Sequence, residues 1–185
     1  MIISIHQPNF IPWYPFFQKI EESDIFVLMG HCQFEKNNFQ NRFNMNGKWY
    51  TMSVNKGLEP IADKIYMSPE KDWNNIKTNL KQYSDVLNQL DECIGENLFE
   101  TNVNIIRKLC SILNIKTEIV LDYPIELSKT ERLVDICKHY GATKYLSGPS
   151  GKKYLDLPVF PDNIEVLYQG EQTKKPILEI LNEHR

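Results

Sequence analysis

Apolar and polar positions along this chain follow two periods, and the places where each period rules mark out its elements. A short apolar run over residues 1–5 is cut off by the polar turn His6-Gln7-Pro8, the pattern of a buried strand that delivers His6 to a sheet edge. Pro8, Pro12 and Pro15 bar a regular helix until about Phe16, after which Phe16, Phe17 and Ile20 fall on one helical face. Residues 24–29 form a second apolar run rich in strand formers, and residues 30–47 read as a long polar segment. Residues 48–54 alternate in the manner of a half-buried strand, predicted to pair with residues 64–67.

Helical spacing then takes over. Trp73, Ile76, Leu80, Tyr83, Leu87 and Leu90 make one amphipathic stripe, and Ile105, Ile106, Leu109, Cys110 and Leu113 make the inner face of a second helix. The last third is the most explicit. A strand over residues 117–121 precedes a helix that Ser128 and Glu131 open as a capping box, that Leu133, Ile136, Cys137 and Tyr140 bury, and that Gly141 closes. Residues 144–147 are a further strand, 152–155 a short helix, 164–168 another strand, and the tail from Gly170 carries Ile177, Ile180 and Leu181 at helical spacing through Arg185. Strands alternating with helices in this way predict a mainly parallel, Rossmann-like (HUP-like) layered sheet with flanking helices. The chain is read as a single α/β domain over residues 1–185, with residues 48–113 as a hairpin-plus-helices insertion or cap.

Composition narrows the classes of partner. A hydrophobic fraction of 42% and a charged fraction of 24% are those of a folded globular chain, and 185 residues suffice for one core. The net charge of -3, with Lys and Arg spread along the chain, argues against nucleic acid, although a local basic pocket for a small anion remains compatible with it. Cys32, Cys93, Cys110 and Cys137 show no CxxC pairing and read as free thiols. No apolar stretch approaches a membrane span and the start lacks a leader pattern, so a cytoplasmic protein without a membrane partner is expected.

Three stretches carry candidate chemistry. His6 stands at the end of a first strand, where open α/β sheets gather ligands; it suits a general base or a phosphate donor, with Gln7 and Asn9 as further polar groups, or else it only satisfies a turn. Gly148, Pro149, Ser150, Gly151 and Lys152 follow a strand, so the backbone N–H groups of this stretch, which Pro149 lacks, are placed either to hold an anion or to make a tight turn; the spacing is not that of a Walker A loop. Residues 34–42 crowd Lys36, Asn41 and Arg42 among amides, either a clamp for an acid or phosphate or a solvated loop. His31 and Cys32 are adjacent but lack further ligands at metal spacing, so no metal is expected; His139 is read against the end of its helix; Asp122 and Asp156 follow strands and either orient a base or are the acidic residues common in turns.

The same residues carry a resemblance. His6-Gln7-Pro8-Asn9-Phe10-Ile11-Pro12-Trp13, then Ser23-Asp24-Ile25-Phe26-Val27, then Phe34-Glu35-Lys36 and Asn41-Arg42, followed by Tyr145-Leu146-Ser147-Gly148-Pro149-Ser150-Gly151 and Tyr154-Leu155-Asp156, resemble the WbqC-like family across residues 2–168. The resemblance implies a place in O-antigen-type surface-polysaccharide assembly and a transfer of a glycyl or other acyl group to a sugar. It implies that His6 is catalytic and that Gln7, Asn9, Lys36, Asn41, Arg42, Ser147, Gly148, Ser150, Gly151, Lys152 and Tyr154 bind a small-molecule substrate, a nucleotide-linked sugar. Two departures stand out: Gly30 and His31 occupy the place where relatives carry an acidic residue, and the segment from Gly170 is short and unlike the family pattern. Two other readings compete. A first-strand histidine with a late Ser-Gly loop is similar in layout to HIGH-motif nucleotidylyl transferases, and the departures also fit a non-catalytic component of a glycan-assembly complex. The cofactor is left open, with no metal expected.

Overall fold

The computed structural model describes residues 1–183, so the last two positions of the expected tail helix lie outside the described residues. Five short strands, β1 (Ile2–His6), β2 (Ile25–Leu28), β5 (Glu118–Leu121), β6 (Lys144–Ser147) and β7 (Glu165–Tyr168), form an all-parallel sheet in the order β5-β2-β1-β6-β7. The parallel α/β architecture anticipated from the alternation of strands and helices is therefore the one observed. Period-two side-chain alternation divides the sheet's faces: Ile3, Ile5 and Val27 join the core beneath α5 (Lys129–His139), whereas Phe26 and Leu28 join the core shared with α1 (Tyr14–Glu21) and α4 (Leu98–Ile112).

Helix α1 starts ahead of the expected Phe16 because Pro15 occupies its first turn, where a missing N–H costs nothing. The segment between β2 and β5 holds the remaining elements. Strands β3 (Arg42–Met45) and β4 (Lys48–Thr51) close a tight hairpin through Asn46 and Gly47, both at positive φ (50° and 85°). This corrects the expected strand pairing: β4 takes its partner from the supposed polar segment, since an Asn-Gly turn closes a far shorter loop. Residues 64–67 meet only the end of the run, through the Val54–Tyr66 bridge.

The predicted stripe from Trp73 to Leu90 is buried throughout, yet it is broken into α2 (Pro69–Asn79), a 3-10 turn (Lys81–Tyr83) and α3 (Ser84–Gln89). Thr78 and Asn79 donate to the carbonyls of Asn74 and Asn75, side-chain bonding that competes with helix continuation. By contrast α4 has a formed cap, the Asn97 side chain accepting from the Glu100 N–H at 2.9 Å, and ends where Asn114 turns to φ 58°. Ser128 stands at the N-cap of α5 without a side-chain bond, so the expected capping box does not form; Lys129 adopts φ 50°, which turns the entry away from the box geometry. Gly141, at φ 70°, closes α5 as expected, and Tyr140 donates its hydroxyl to the Leu121 carbonyl. The turn after β6 is a 3-10 helix over Pro149–Lys153, earlier than the short helix foreseen at 152–155, and α6 (Ile177–Glu183) ends the described chain.

All four cysteines are free; three are buried, and burial pushes the Cys110 and Cys137 thiols up to about 12. No helix among the described residues is long and apolar enough to cross a membrane.

Candidate functional site

In the strand order β5-β2-β1-β6-β7, the chain leaves β1 toward β2 and β5 on one side and later fills β6 and β7 on the other. The carboxyl ends of β1 and β6 therefore flank a switch point, the crevice where sheets of this kind bind ligands. His6 ends β1 there. Its register partner is Leu28, and the β1–β6 register, Ile2 with Lys144 and Ile3 with Tyr145, carries the end of β1 alongside Ser147 and Gly148.

His6 is half-buried, with its ring edge-on to Phe16 at 4.9 Å. Nδ1 lies 2.8 Å from the Gln7 carbonyl; a carbonyl only accepts, so Nδ1 carries the hydrogen and Nε2 keeps its lone pair. Burial, reinforced by the nearby positive charge of Lys19, lowers the His6 pKa to about 4, so the ring is neutral at physiological pH. Lys19 itself is buried on the inner face of α1. Its Nζ donates to the Ile5 carbonyl at 3.1 Å, no carboxylate among the described residues pairs with it, and burial lowers its pKa to about 7. The contrast with Lys64 is direct: that ammonium, equally buried, is satisfied by Asn55 O, Gly57 O and Glu59 Oε2 at 3.0, 3.0 and 2.7 Å.

The loop that follows β1 is tied to the loop that precedes β3. Gln40 Nε2 donates to Gln7 Oε1 at 2.6 Å, the Phe10 N–H donates to the Phe39 carbonyl at 2.8 Å, and buried Asn102 donates to the carbonyls of both Pro8 and Gln40. Ile11 sits at φ 44°, a left-handed conformation that is costly for a β-branched residue and that folds tend to retain at functional sites. Asn9 is buried. Asn41 is also buried and spends its amide on the Met52 carbonyl, which makes it a hairpin anchor. Arg42 donates to the Asn37 carbonyl, and its guanidinium lies 4.1 Å from the centre of the Trp49 indole, an exposed ring that also meets exposed Phe39. Lys36 is exposed on the same loop.

On the other side of the switch point, Ser147 is buried and its hydroxyl donates to the Gly148 carbonyl at 3.1 Å. A Cβ on Gly151 would come within 2.0 Å of Ser147 Oγ, and the Gly151 N–H is spent on the Gly148 carbonyl. Glycine at 151 thus serves the tightness of the turn. Ser150, Lys152 and Tyr154 are exposed, with Lys152 Nζ 5.2 Å from the Tyr168 ring centre.

Two cavities lie elsewhere. One of about 390 Å³, between residues 68–71 and 94–96, touches no residue singled out in the sequence. Another of about 220 Å³ is lined by Phe99, Glu100, Val103, Asn104, Arg107 and Leu121. Among the described residues no cluster of His, Cys, Asp and Glu forms a metal centre.

Set against known proteins, residues 7–176 match the WbqC-like protein family, which is nearly the whole of the described fold. The chain belongs to that family. A relative, the uncharacterized protein Rv1507c of Mycobacterium tuberculosis, is 28% identical over 180 residues, covering 86% of this chain and 78% of its own length. Among solved structures, Zn(II)-bound AdcAII H205L of Streptococcus pneumoniae aligns over 98% of this chain and 95% of its own at 13% identity, but its TM-score of 0.22 carries no argument.

In this WbqC-like chain the sequence also left a third group unassembled. Asp122, at the end of β5, is buried and accepts from the Gly30 N–H at 2.8 Å, from the His31 N–H at 3.3 Å to either oxygen, from His31 Nδ1 at 2.9 Å and from Arg132 at 2.7 Å. Asp122, which the sequence leaves between a base-orienting group and an ordinary turn residue, meets the imidazole of His31. Gly30 is explained by packing: a Cβ there would lie 2.4 Å from the Phe99 ring. Beside the group, Cys32 Sγ receives the Gln7 amide at 3.4 Å, and burial raises its thiol pKa, so it stays protonated. His139 packs between Tyr123 and Tyr140. Lys19 and Arg132 were missed for one reason: each is a charged residue on the buried stripe of its helix, beside Ile20 and Leu133, where a periodicity of apolar residues skips it.

Proposed function

We propose that this chain transfers an acyl or aminoacyl group to an amino or hydroxyl group of a nucleotide-linked sugar, in the assembly of a bacterial surface polysaccharide. The observation that carries this reading is the neutral imidazole of His6 at the β1–β6 switch point, its Nε2 lone pair unspent among the described residues, beside the loop held by Gln7 and Gln40. A neutral, rigid imidazole is the group needed to hold the N–H or O–H of an acceptor as it attacks a carbonyl carbon. Arg42 and Lys36 on the one loop and Lys152 with the Gly148 and Ser150 N–H groups on the other supply the positive charge and donors for phosphates or a developing oxyanion. Exposed Trp49 and Phe39 offer flat apolar faces to a nucleobase or a sugar.

A melting-shift screen of the full chain tests the reading. Nucleoside-diphosphate sugars at millimolar concentration are expected to raise the melting temperature, and His6→Ala to abolish the shift, as mass action on a ligand that binds only the folded state requires. A shift with free ATP or CTP that exceeds the one with sugar nucleotides points instead to nucleotidyl transfer. Silence with every nucleotide and every acyl donor leaves only the non-catalytic reading.

A further inference from the structure

We propose that His31 and Asp122 form a proton-transfer site, in which His31 takes the proton from the acceptor amine or hydroxyl; this rests on the group-transfer reading above. The geometry is that of an oriented base. Asp122 is an acceptor at both oxygens, with Arg132 on Oδ2 at 2.7 Å and the Gly30 N–H on Oδ1 at 2.8 Å. A carboxylate fixed in this way only accepts, so His31 Nδ1, at 2.9 Å, carries the hydrogen and Nε2 presents its lone pair. The His31 backbone N–H bonds the same carboxylate, which locks ring and main chain to one group. The carboxylate is shut away from water while 32% of the His31 side chain is exposed, so the orienting half of the pair is buried and the working half is open. A buried aspartate bonded to Nδ1 holds a histidine base in one tautomer and one orientation. Asp122 is thus a positioning residue, and Arg132 positions Asp122.

The site adjoins an opening. Phe99, which packs on Gly30, and Leu121, which leads into Asp122, both line the depression of about 220 Å³ together with Arg107 and Glu100. On the inner side, Gln7 reaches Cys32, the neighbour of His31, so the β1 loop and the His31 turn are in contact. In the step itself, the acceptor's lone pair forms the new bond to the carbonyl carbon of an acyl ester or thioester donor while its proton passes to His31 Nε2. The carbonyl π pair moves to oxygen, returns as the bond to the donor's leaving group breaks, and Nε2 gives its proton to that leaving group.

Two measurements on the full-length chain test this without any sugar nucleotide. Nitrogen-15 NMR of labelled histidines at neutral pH is expected to show His31 as the Nδ1–H tautomer. Diethyl pyrocarbonate, an acylating probe of free imidazole lone pairs, is expected to modify His31 about tenfold faster than His6, and Asp122→Asn to slow the His31 reaction by about the same factor. An Nε2–H tautomer, or a His31 rate no greater than that of His6, overturns the proposal; so does an unchanged rate in Asp122→Asn, which reduces the pair to a structural pin between β2 and β5. If Asp122→Asn does not fold, the wild-type tautomer and rate ratio decide alone. Because neither readout needs a nucleotide ligand, a negative result here leaves the melting-shift screen standing, and a silent screen leaves this result standing.

Discussion

The imidazoles of His6 and His31 leave the sheet at the same edge, one at the end of β1 and the other just past the end of β2, but their surroundings pull in opposite directions. At the β1 end stands a buried ammonium that no carboxylate among the described residues pairs with, and both burial and that charge hold His6 neutral. At the β2–β5 end a buried carboxylate accepts four kinds of donor and fixes the tautomer of His31. Two histidines that are equivalent as letters thus stand in different surroundings, one near a buried ammonium and one bonded to a buried carboxylate. Charge placement beneath the sheet edge, and not the identity of the exposed residue, makes the difference.

The comparison breaks most violently at Asp122. Replacing it with Ala strands the Arg132 guanidinium, whose Nε already lacks a partner, and leaves the Gly30 and His31 amides unmatched. Removing one member of a buried ion pair costs about 3–5 kcal/mol, and urea unfolding is expected to show a loss of that size. A loss within about 1 kcal/mol would mean that Asp122 is far more hydrated than its burial indicates.

Lys19 sharpens the other side. Its pKa in the folded chain, about 7, lies below its ordinary value of 10.5, so between pH 7 and 10.5 the unfolded chain binds the extra proton and stability rises with pH. Lys19→Met removes that dependence. The variant is expected to be more stable than wild type at pH 6, by up to about 4 kcal/mol, with the advantage shrinking as pH climbs toward 10.5. The same substitution takes a positive charge away from His6 and moves its NMR titration upward. Because burial is the larger cause of the His6 shift, the titration should still lie below 6.5. A His6 titration that does not move in Lys19→Met separates the two groups and removes the electrostatic half of the contrast.

The parallel sheet, its strand positions and the end of α5 at Gly141 were legible because they depend on local patterns: apolar runs, helical stripes and a glycine at positive φ. The β3–β4 pairing was missed although its signal, Asn46-Gly47, stands in the chain; a polar segment hid the strand Arg42–Met45, whose Arg42 and Asn44 point away from the core. The candidate site was half legible. His6 and its neighbours were named from position at a strand end, whereas the partnership of His31 with Asp122 spans 91 residues and follows from strand order, which no local period encodes. Buried charges such as Lys19 and Arg132 resist sequence reading for a physical reason. A lysine on an apolar face is ordinarily one that reaches out to water, and only the sheet edge above α1 stops this one.

Gly30 offers the smallest and most selective perturbation. Its N–H is the shortest backbone donor to Asp122, and its missing side chain is what lets the Phe99 ring approach. A methyl group at 30 must push that ring aside by more than an ångström, since the contact it would make is 2.4 Å. Overpacking of this kind costs about 1–3 kcal/mol. Displacement of the turn would also lengthen the amide bond to Oδ1 without touching the His6 end of the edge. Gly30→Ala is therefore expected to lower stability within that range and to slow diethyl pyrocarbonate modification of His31, while the His6 titration and the tautomer of its ring stay as in wild type. Equal disturbance of both rings would show that the two ends of the edge move as one body, and the independence on which their contrast relies would be lost.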